Sequence, residues 1–348
     1  MRNVAITALR IASLSASVTL FAATTGAFAQ DSVEQFYKGR VVTMQIGAAG
    51  GGSADIWART FAPFLTRHLP GNPQIIYQNK PGAGGLTVAH DMMENAPRDG
   101  SVIGTLQRNN FIAPLLAEKT IPFDPTKVNH LGSLSREIQV MFTYGKNPKA
   151  KTLEEAMKIP LKVGGTAVTA ENVTYPLLAN KLAGTKFDIV HGYASTDDTL
   201  LAVERGEVDA RASSYDSTLR GQMGDWRKDG LLHVFMQFGL ERDPGIPDVP
   251  SVMEHVTDGD ARSIMRLMLL PQELGRPYIT PPGIPEDRLA ALRKAFIDAA
   301  NDPEFHAAVE KFGASVDLVD GETVQKMAAE IMSTPPELVA KTKELLKP

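Results

Sequence analysis

The stretch from Val41 to Leu65 constrains the fold more than any other part of this chain. Val41-Val42-Thr43-Met44-Gln45-Ile46 is a short apolar run with the look of a buried strand. Gly47-Ala48-Ala49-Gly50-Gly51-Gly52-Ser53-Ala54-Asp55 follows, and then Trp57, Phe61, Phe64 and Leu65 fall on one face at helical spacing, within a helix expected from about Ala54 to His68. A strand that turns through glycines into an amphipathic helix is the opening of an α/β unit. Gln74 to Gln78 reads as the next strand, Gly84 to Asn95 as a helix and Ser101 to Leu106 as a third strand. That rhythm implies a parallel sheet with helical crossovers.

The rhythm returns in mid-chain. Gln139 to Tyr144 is a strand able to carry the chain into a second lobe. Thr152 to Lys158 is a helix with Thr152 as N-cap and Glu155 three residues on, a capping-box pattern. Strands are expected at Leu161–Val163, Phe187–His191, Val208–Ala212 and Leu231–Met236, and helices at Tyr175–Leu182 and Asp197–Arg205. Asp243-Pro244-Gly245-Ile246-Pro247-Asp248-Val249-Pro250 reads as a return linker. Arg276–Thr280 is a further strand, and Pro281-Pro282-Gly283-Ile284-Pro285 introduces a helix with Leu289, Leu292, Phe296 and Ala299 on its apolar face. Glu304–Phe312 and Glu322–Met332 are two more amphipathic helices. A chain of 348 residues is long enough for two such units. The expected organisation is lobe 1 from 30–135 and 248–348, lobe 2 from 136–247, and a ligand cleft between them.

The first 29 residues look like an export signal. Arg2 and Arg10 precede an apolar stretch from Ile11 to Ala22, and Ala27-Phe28-Ala29 is a small-x-small cleavage site, so cleavage is expected after Ala29. The mature chain is then periplasmic. No later stretch reaches the ~20 apolar residues that span a bilayer. The chain has no cysteine, which excludes disulfides, thiolate metal sites and a lipid anchor on a cleavage-point cysteine. Loss of Arg2 and Arg10 moves the formal charge from −4 to −6, and no basic stripe suggests nucleic acid.

Four features can carry chemistry. The loop Ala48, Ala49, Gly50, Gly51, Gly52, Ser53, with Asp55 just inside the helix, sits where a strand hands over to a helix N-terminus. Unpaired N–H groups and the helix dipole there suit an anion, and Ser53 can cap the helix or donate its hydroxyl. The same sequence serves equally as a plain tight turn. Asn79-Lys80-Pro81-Gly82-Ala83-Gly84-Gly85 is a second glycine loop, best read as support for the first. Gly164-Gly165-Thr166-Ala167 and Gly192-Tyr193-Ala194-Ser195-Thr196 each end a strand and precede a helix, so both can present donors from the second lobe. Arg108 follows the third strand and is either a surface residue or a carboxylate partner in the cleft. Catalytic signatures are missing: no His-Glu-x-x-His, no Gly-x-Ser-x-Gly and no Gly-Lys-Ser/Thr loop. The paired Asp197-Asp198 reads as exposed or capping, and Trp57 as core. No cofactor and no metal are expected.

These residues resemble the TctC or Bug family, the extracytoplasmic receptors of tripartite tricarboxylate transporters. The likeness runs from Arg40 through both glycine loops to Ala96-Pro97-Arg98-Asp99-Gly100. It continues in Gly192-Tyr193, Gly206-Glu207-Val208-Asp209 and Asp248-Val249-Pro250-Ser251, and closes at Pro281–Pro285 and Asp302-Pro303-Glu304. The resemblance implies a type II periplasmic-binding fold, two lobes with mixed sheets flanked by helices, closing on the ligand like a flytrap. It implies that the loop Ala48 to Ser53 grips a ligand carboxylate through backbone groups and bridging waters. Gly165-Thr166 and Tyr193 to Thr196 would contribute from the other lobe. Ser213 and Ser214 stand where many members carry Asp-Asn, and Gln107-Arg108-Asn109 replaces small polar residues, so an arginine there favours a second carboxylate. Family ligands include citrate, other di- and tricarboxylates, aromatic acids, amino acids and nicotinate-like compounds. The implied protein is a non-catalytic monomer that binds a small organic anion and touches membrane transporter subunits transiently. A co-receptor for a sensor kinase and a periplasmic hydrolase are the rival readings.

Overall fold

Strand β1 (Val41–Ile46) is central because Val42, Met44 and Ile46 are fully buried between its neighbours. The computed structural model describes residues 33–117, 121–218 and 221–347. The expected export signal lies outside them. β1 pairs in parallel with β2 (Gln74–Asn79), from Val41 opposite Gln74 to Ile46 opposite Asn79, and with β3 (Val102–Thr105) on its other side. The helix Ser53–His68 is the crossover from β1 to β2. Its Trp57, Phe61 and Leu65 recur every four residues, so one stripe is buried. Phe61 meets Tyr278, Phe296 and Phe305 edge to face at 4.9–5.3 Å, and Trp57 meets Phe312 at 5.6 Å. Truncating Phe61 to Ala would cost about 3–5 kcal/mol, because so enclosed a site cannot collapse.

The first sheet is completed by strands distant in sequence. Its order is β11-β4-β10-β3-β1-β2, with β4 (Asn129–Ser133), β10 (Pro277–Thr280) and β11 (Val319–Asp320) added antiparallel. The sequence reading missed β4, which is short, polar and interrupted by Gly132. Tertiary packing makes it a strand. A side chain at Gly132, whose φ is 152°, would collide with the Phe296 ring.

The second sheet has the order β7-β6-β8-β5-β9, from β5 (Gln139–Tyr144), β6 (Lys162–Gly164), β7 (Asp188–Val190), β8 (Ala210–Ser214) and β9 (Leu232–Phe238). β6 runs parallel to β7 and β8, and β5 runs antiparallel to β8 and β9. Both sheets are therefore mixed and flanked by helices. The strand expected at Val208–Ala212 is shifted by two residues, which puts Ser213 and Ser214 inside β8 rather than beyond it. The capping box at Thr152 forms as expected: Thr152 Oγ1 accepts from Glu155 N–H and the Glu155 carboxylate accepts from Thr152 N–H. The helices Gly259–Leu269 and Pro336–Leu345 were not anticipated.

Two chain segments join the sheets side by side. Residues 134–138 link β4 to β5, and the turn Leu270–Leu274 leads back into β10. Glu137 N–H donates to the Gln272 carbonyl at 2.8 Å, and Gly275 N–H donates to the Ser135 carbonyl at 2.9 Å. A Cβ on Gly275 would lie 2.7 Å from Ser135 Oγ, so the approach needs glycine. Behind these crossings one buried apolar cluster runs unbroken from Val88 and Phe111, through Val252, Met265 and Leu269, to Tyr175 and Phe235. In front of them lies an open cleft.

Candidate functional site

A cavity of about 540 Å³ occupies this cleft, a size suited to a small organic molecule. Arg108, Asn109, Gly275 and Arg276 reach it from the first sheet's side. Thr166, Asn172, Thr196, Arg211, Ser213 and Ser214 reach it from the second, with Glu137, Gln139 and Glu171 at the junction. Thr166 follows β6, Thr196 opens the helix Thr196–Glu204, and Arg211 and Ser213 share one face of β8. The second wall is thus built from strand ends and a helix start, where ligands collect in parallel α/β sheets. A second hollow, of about 890 Å³, lies beyond Glu171. Ile112, Leu116, Val168, Met268 and Pro271 give it a largely apolar lining, with Lys343 and Lys347 among its polar residues.

Of the residues singled out in the sequence, the cavity gathers Arg108, Asn109, Thr166, Thr196, Ser213 and Ser214. It does not gather Ala48, Ala49, Gly50, Gly51, Gly52, Ser53 or Asp55 into its lining, nor Gly165, Ala167, Tyr193 or Ser195. The glycine loop stands exposed beside the cavity and is tied to its lining at two points: Arg276 Nη2 donates to Ser53 Oγ at 2.9 Å, and Gln107 Nε2 donates to the Gly47 carbonyl at 3.4 Å. The first backbone bond of the helix runs from Ile56 N–H to the Gly52 carbonyl, so the N–H groups of Ser53 and Ala54 have no helical acceptor.

Asp55 organises the loop. Its buried carboxylate accepts from Gly51 N–H at 2.9 Å, Arg59 Nε at 2.8 Å and Asn79 Nδ2 at 2.8 Å. Burial raises its pKa, but these donors outweigh burial and hold it below the usual carboxylate value. Asn79 also donates to the Ala48 carbonyl, and a Cβ on Gly47 would sit 3.2 Å from Gly85 Cα. The second glycine loop therefore buttresses the first.

Gly165 is a packing position: a Cβ there would come within 2.4 Å of Val173. The Ala167 carbonyl accepts from Ala170 N–H, and Ser195 caps its helix by accepting from Asp198 N–H. Tyr193 packs against the cluster containing Trp226 and Leu232.

The electrostatics divide the three cavity arginines. Arg108 is paired with both Glu171 and Glu137, and its Nη1 also donates to the Glu137 carbonyl at 2.8 Å. Burial lowers its pKa, yet the two carboxylates outweigh burial and hold it above the ordinary value. Arg276 pairs with Glu137 Oε1 at 2.5 Å and lies over the Trp57 ring. Arg211, only 3% exposed, has no carboxylate oxygen within 4 Å among the described residues. Its Nη1 donates to the Thr196 carbonyl at 2.7 Å and its Nε to the Ala212 carbonyl at 3.4 Å. Burial pulls its pKa down to about 10, against the opposing pull of Asp197, so it is charged at neutral pH.

The sequence reading missed Arg211, Glu137, Glu171 and Arg276. Arg211 left a signal: a lone cation between alanines in a strand of small residues, Ala210-Arg211-Ala212-Ser213. Glu137, Glu171 and Arg276 left none, because their roles exist only once the two crossings meet.

Residues 58–343 match the model of the tripartite tricarboxylate transporter family receptor, TctC. A protein of Cupriavidus necator described as a UPF0065 protein in the gbd 5′ region is 25% identical over 321 residues, covering 90% of each chain. A TctC solute-binding protein from Polaromonas, solved without ligand, superposes with a TM-score of 0.68 at 19% identity, covering 89% of this chain and 98% of that one. MatC from Rhodopseudomonas palustris with bound malate superposes at 0.55 and 20% identity, covering 88% and 99%. The fold is that of the type II periplasmic binding proteins, as the sequence led us to expect. With most of its length matched, the chain belongs to the TctC receptor family of tripartite tricarboxylate transporters.

Proposed function

We propose that this chain is a periplasmic receptor that captures a small organic carboxylate between its lobes and presents it to the membrane subunits of a tripartite transporter. One observation carries the reading: the cavity at the lobe junction is lined by eight hydroxyl or amide side chains, five of them flanking the strand ends of the second sheet, and by three arginines, of which Arg108 and Arg276 are paired with the lining acids Glu137 and Glu171 and Arg211 is not. Such a wall suits a carboxylate, whose oxygens accept from guanidinium and hydroxyl donors. Malate in the MatC structure is the same class of molecule. No histidine lines the cavity, and among the described residues no hydrogen bond joins one of its hydroxyls to a carboxylate, which supports binding without turnover.

In this reading the lobes are 30–135 with 248–348, and 136–247. They close at their junction, bringing the exposed loop Ala48 to Ser53 over one end of the ligand. Closure excludes water and strengthens the bonds to the anion. The closed form is what the transporter recognises, and the ligand populates it by binding it better than the open form. Export rests on the pattern in residues 1–29, and no helix among the described residues is long and apolar enough to cross a membrane.

The test is a thermal-shift screen of the mature protein with organic acids, amino acids and neutral sugars. A ligand at 100 times its Kd adds about 2.7 kcal/mol of stability. A carboxylate should raise the melting temperature. A shift with a sugar and with no acid would overturn the assignment.

A further inference from the structure

We propose that Arg211 is the anion anchor of the second lobe and makes the receptor selective for a ligand with a second negatively charged group at its far end. The proposal deepens the reading of the cavity as a carboxylate site and rests on it.

The sequence pointed to Arg108 for this role, and the geometry moves it elsewhere. Arg108 is already held by Glu137 and Glu171, so an incoming carboxylate would have to displace a charge already paired. Arg276 shares Glu137 and reaches toward Ser53. Arg211 alone among the lining arginines is buried with no carboxylate oxygen within 4 Å among the described residues. Taking a cation out of water costs several kcal/mol, and a folded chain tolerates that where a partner anion repays it.

The guanidinium is also set in place. Two of its nitrogens donate to the carbonyls of Thr196 and Ala212, which fix its plane, while Nη2 meets no acceptor among the described residues. The Phe142 ring lies 6.0 Å from its carbon. Ser213 shares its strand face two residues on, and the helix that begins at Thr196 points its N-terminus at the same hollow. A rigid fork, a hydroxyl and a helix start together match a carboxylate or a similar oxyanion. Asp197 is the acid that most influences Arg211, and it is exposed at the rim. A ligand ending in an ammonium group would place two cations together here and be rejected.

The test is calorimetric titration of the wild-type protein with succinate, malate, glutarate, adipate and terephthalate, each against its own monomethyl ester. The ester keeps the length and removes one charge. Wild-type protein should bind at least one diacid roughly 30-fold or more tightly than its ester, the scale expected for a buried charge pair. Arg211→Gln should bring that ratio close to one, and Arg211→Lys should leave it intermediate, because a lysine keeps the charge without the fork. The melting temperature of ligand-free Arg211→Gln should stay level or rise, since an unpaired buried cation has gone.

An unchanged diacid-to-ester ratio in Arg211→Gln, or a lowered melting temperature with that ratio intact, assigns Arg211 a structural role and overturns the proposal. If Arg211→Gln does not fold, the wild-type ratio still decides: equal binding of a diacid and its ester overturns the anchor while the carboxylate receptor stands. Wild-type protein that binds neither diacids nor esters overturns both.

Discussion

The two walls of the cavity handle buried charge in opposite ways. On the first-lobe side, Arg108 and Arg276 are compensated by Glu137 and Glu171 in a continuous chain of ion pairs that crosses the junction. The one buried histidine of that lobe, His130, is kept neutral: burial takes its pKa to about 4, and its Nε2 lies 2.8 Å from the Pro125 carbonyl. On the second-lobe side Arg211 stays charged and has no carboxylate partner among the described residues. A compensated network holds the two halves in register. An uncompensated cation stores an interaction for something that arrives later. The same residue type therefore serves structure in one wall and recognition in the other, and only its partners tell the two apart.

Removing Arg108 should have the largest effect. Arg108→Ala leaves Glu171 without its cation at a mostly buried junction, and we expect a loss of about 3–5 kcal/mol in denaturant unfolding. The double variant Arg108→Met/Glu171→Leu should recover most of it, because Glu137 keeps Arg276. Affinity for the best diacid should change less than threefold in Arg108→Ala. A loss of affinity comparable to that of Arg211→Gln would erase the distinction between the walls.

Acid should act next, and on the first lobe. The folded pKa of His130, about 4, lies below its ordinary value of 6.5, so the unfolded chain takes up a proton first as pH falls. The contribution of neutral His130 is complete above about pH 6.5 and is lost progressively down to about pH 4, amounting to about 3 kcal/mol across that interval. His130→Phe should flatten that part of the stability profile. An identical profile in the variant would show that other groups set the acid limit.

The Arg211→Gln substitution comes third, at about 2 kcal/mol of binding free energy with little change in stability. Measured beside Arg108→Ala it gives a crossed pattern, one variant losing stability and the other affinity. Asp55→Ala should be smallest, about 1–2 kcal/mol in stability, because three donors lose their acceptor in an exposed loop where water replaces part of the loss. Hydrogen exchange should then rise at residues 50–53 and stay level in the second sheet. Equal exchange in both regions would mean that Asp55 does not hold the loop.

The sequence by itself determined the α/β units, the strands of both sheets other than β4 and β11, the capped helix at Thr152 and the glycine loop ahead of Ser53–His68. These are set by local periodicity, by capping residues and by glycine's tolerance of sharp turns, all readable within a dozen residues. The sequence also reached six cavity residues, because strand ends and the turns that follow them are where such sites form. Only the tertiary structure decided what the charged groups do. It placed Asp55 inside the loop, engaged Arg108 with two acids from distant segments, and left Arg211 alone on β8. β4 likewise became a strand through Gly132 and Phe296, 164 positions apart. The physical reason is common to all of them. A periodic pattern is a property of neighbours in the chain, whereas the work of a buried charge or a close-packed glycine is fixed by which groups folding brings within a few ångströms.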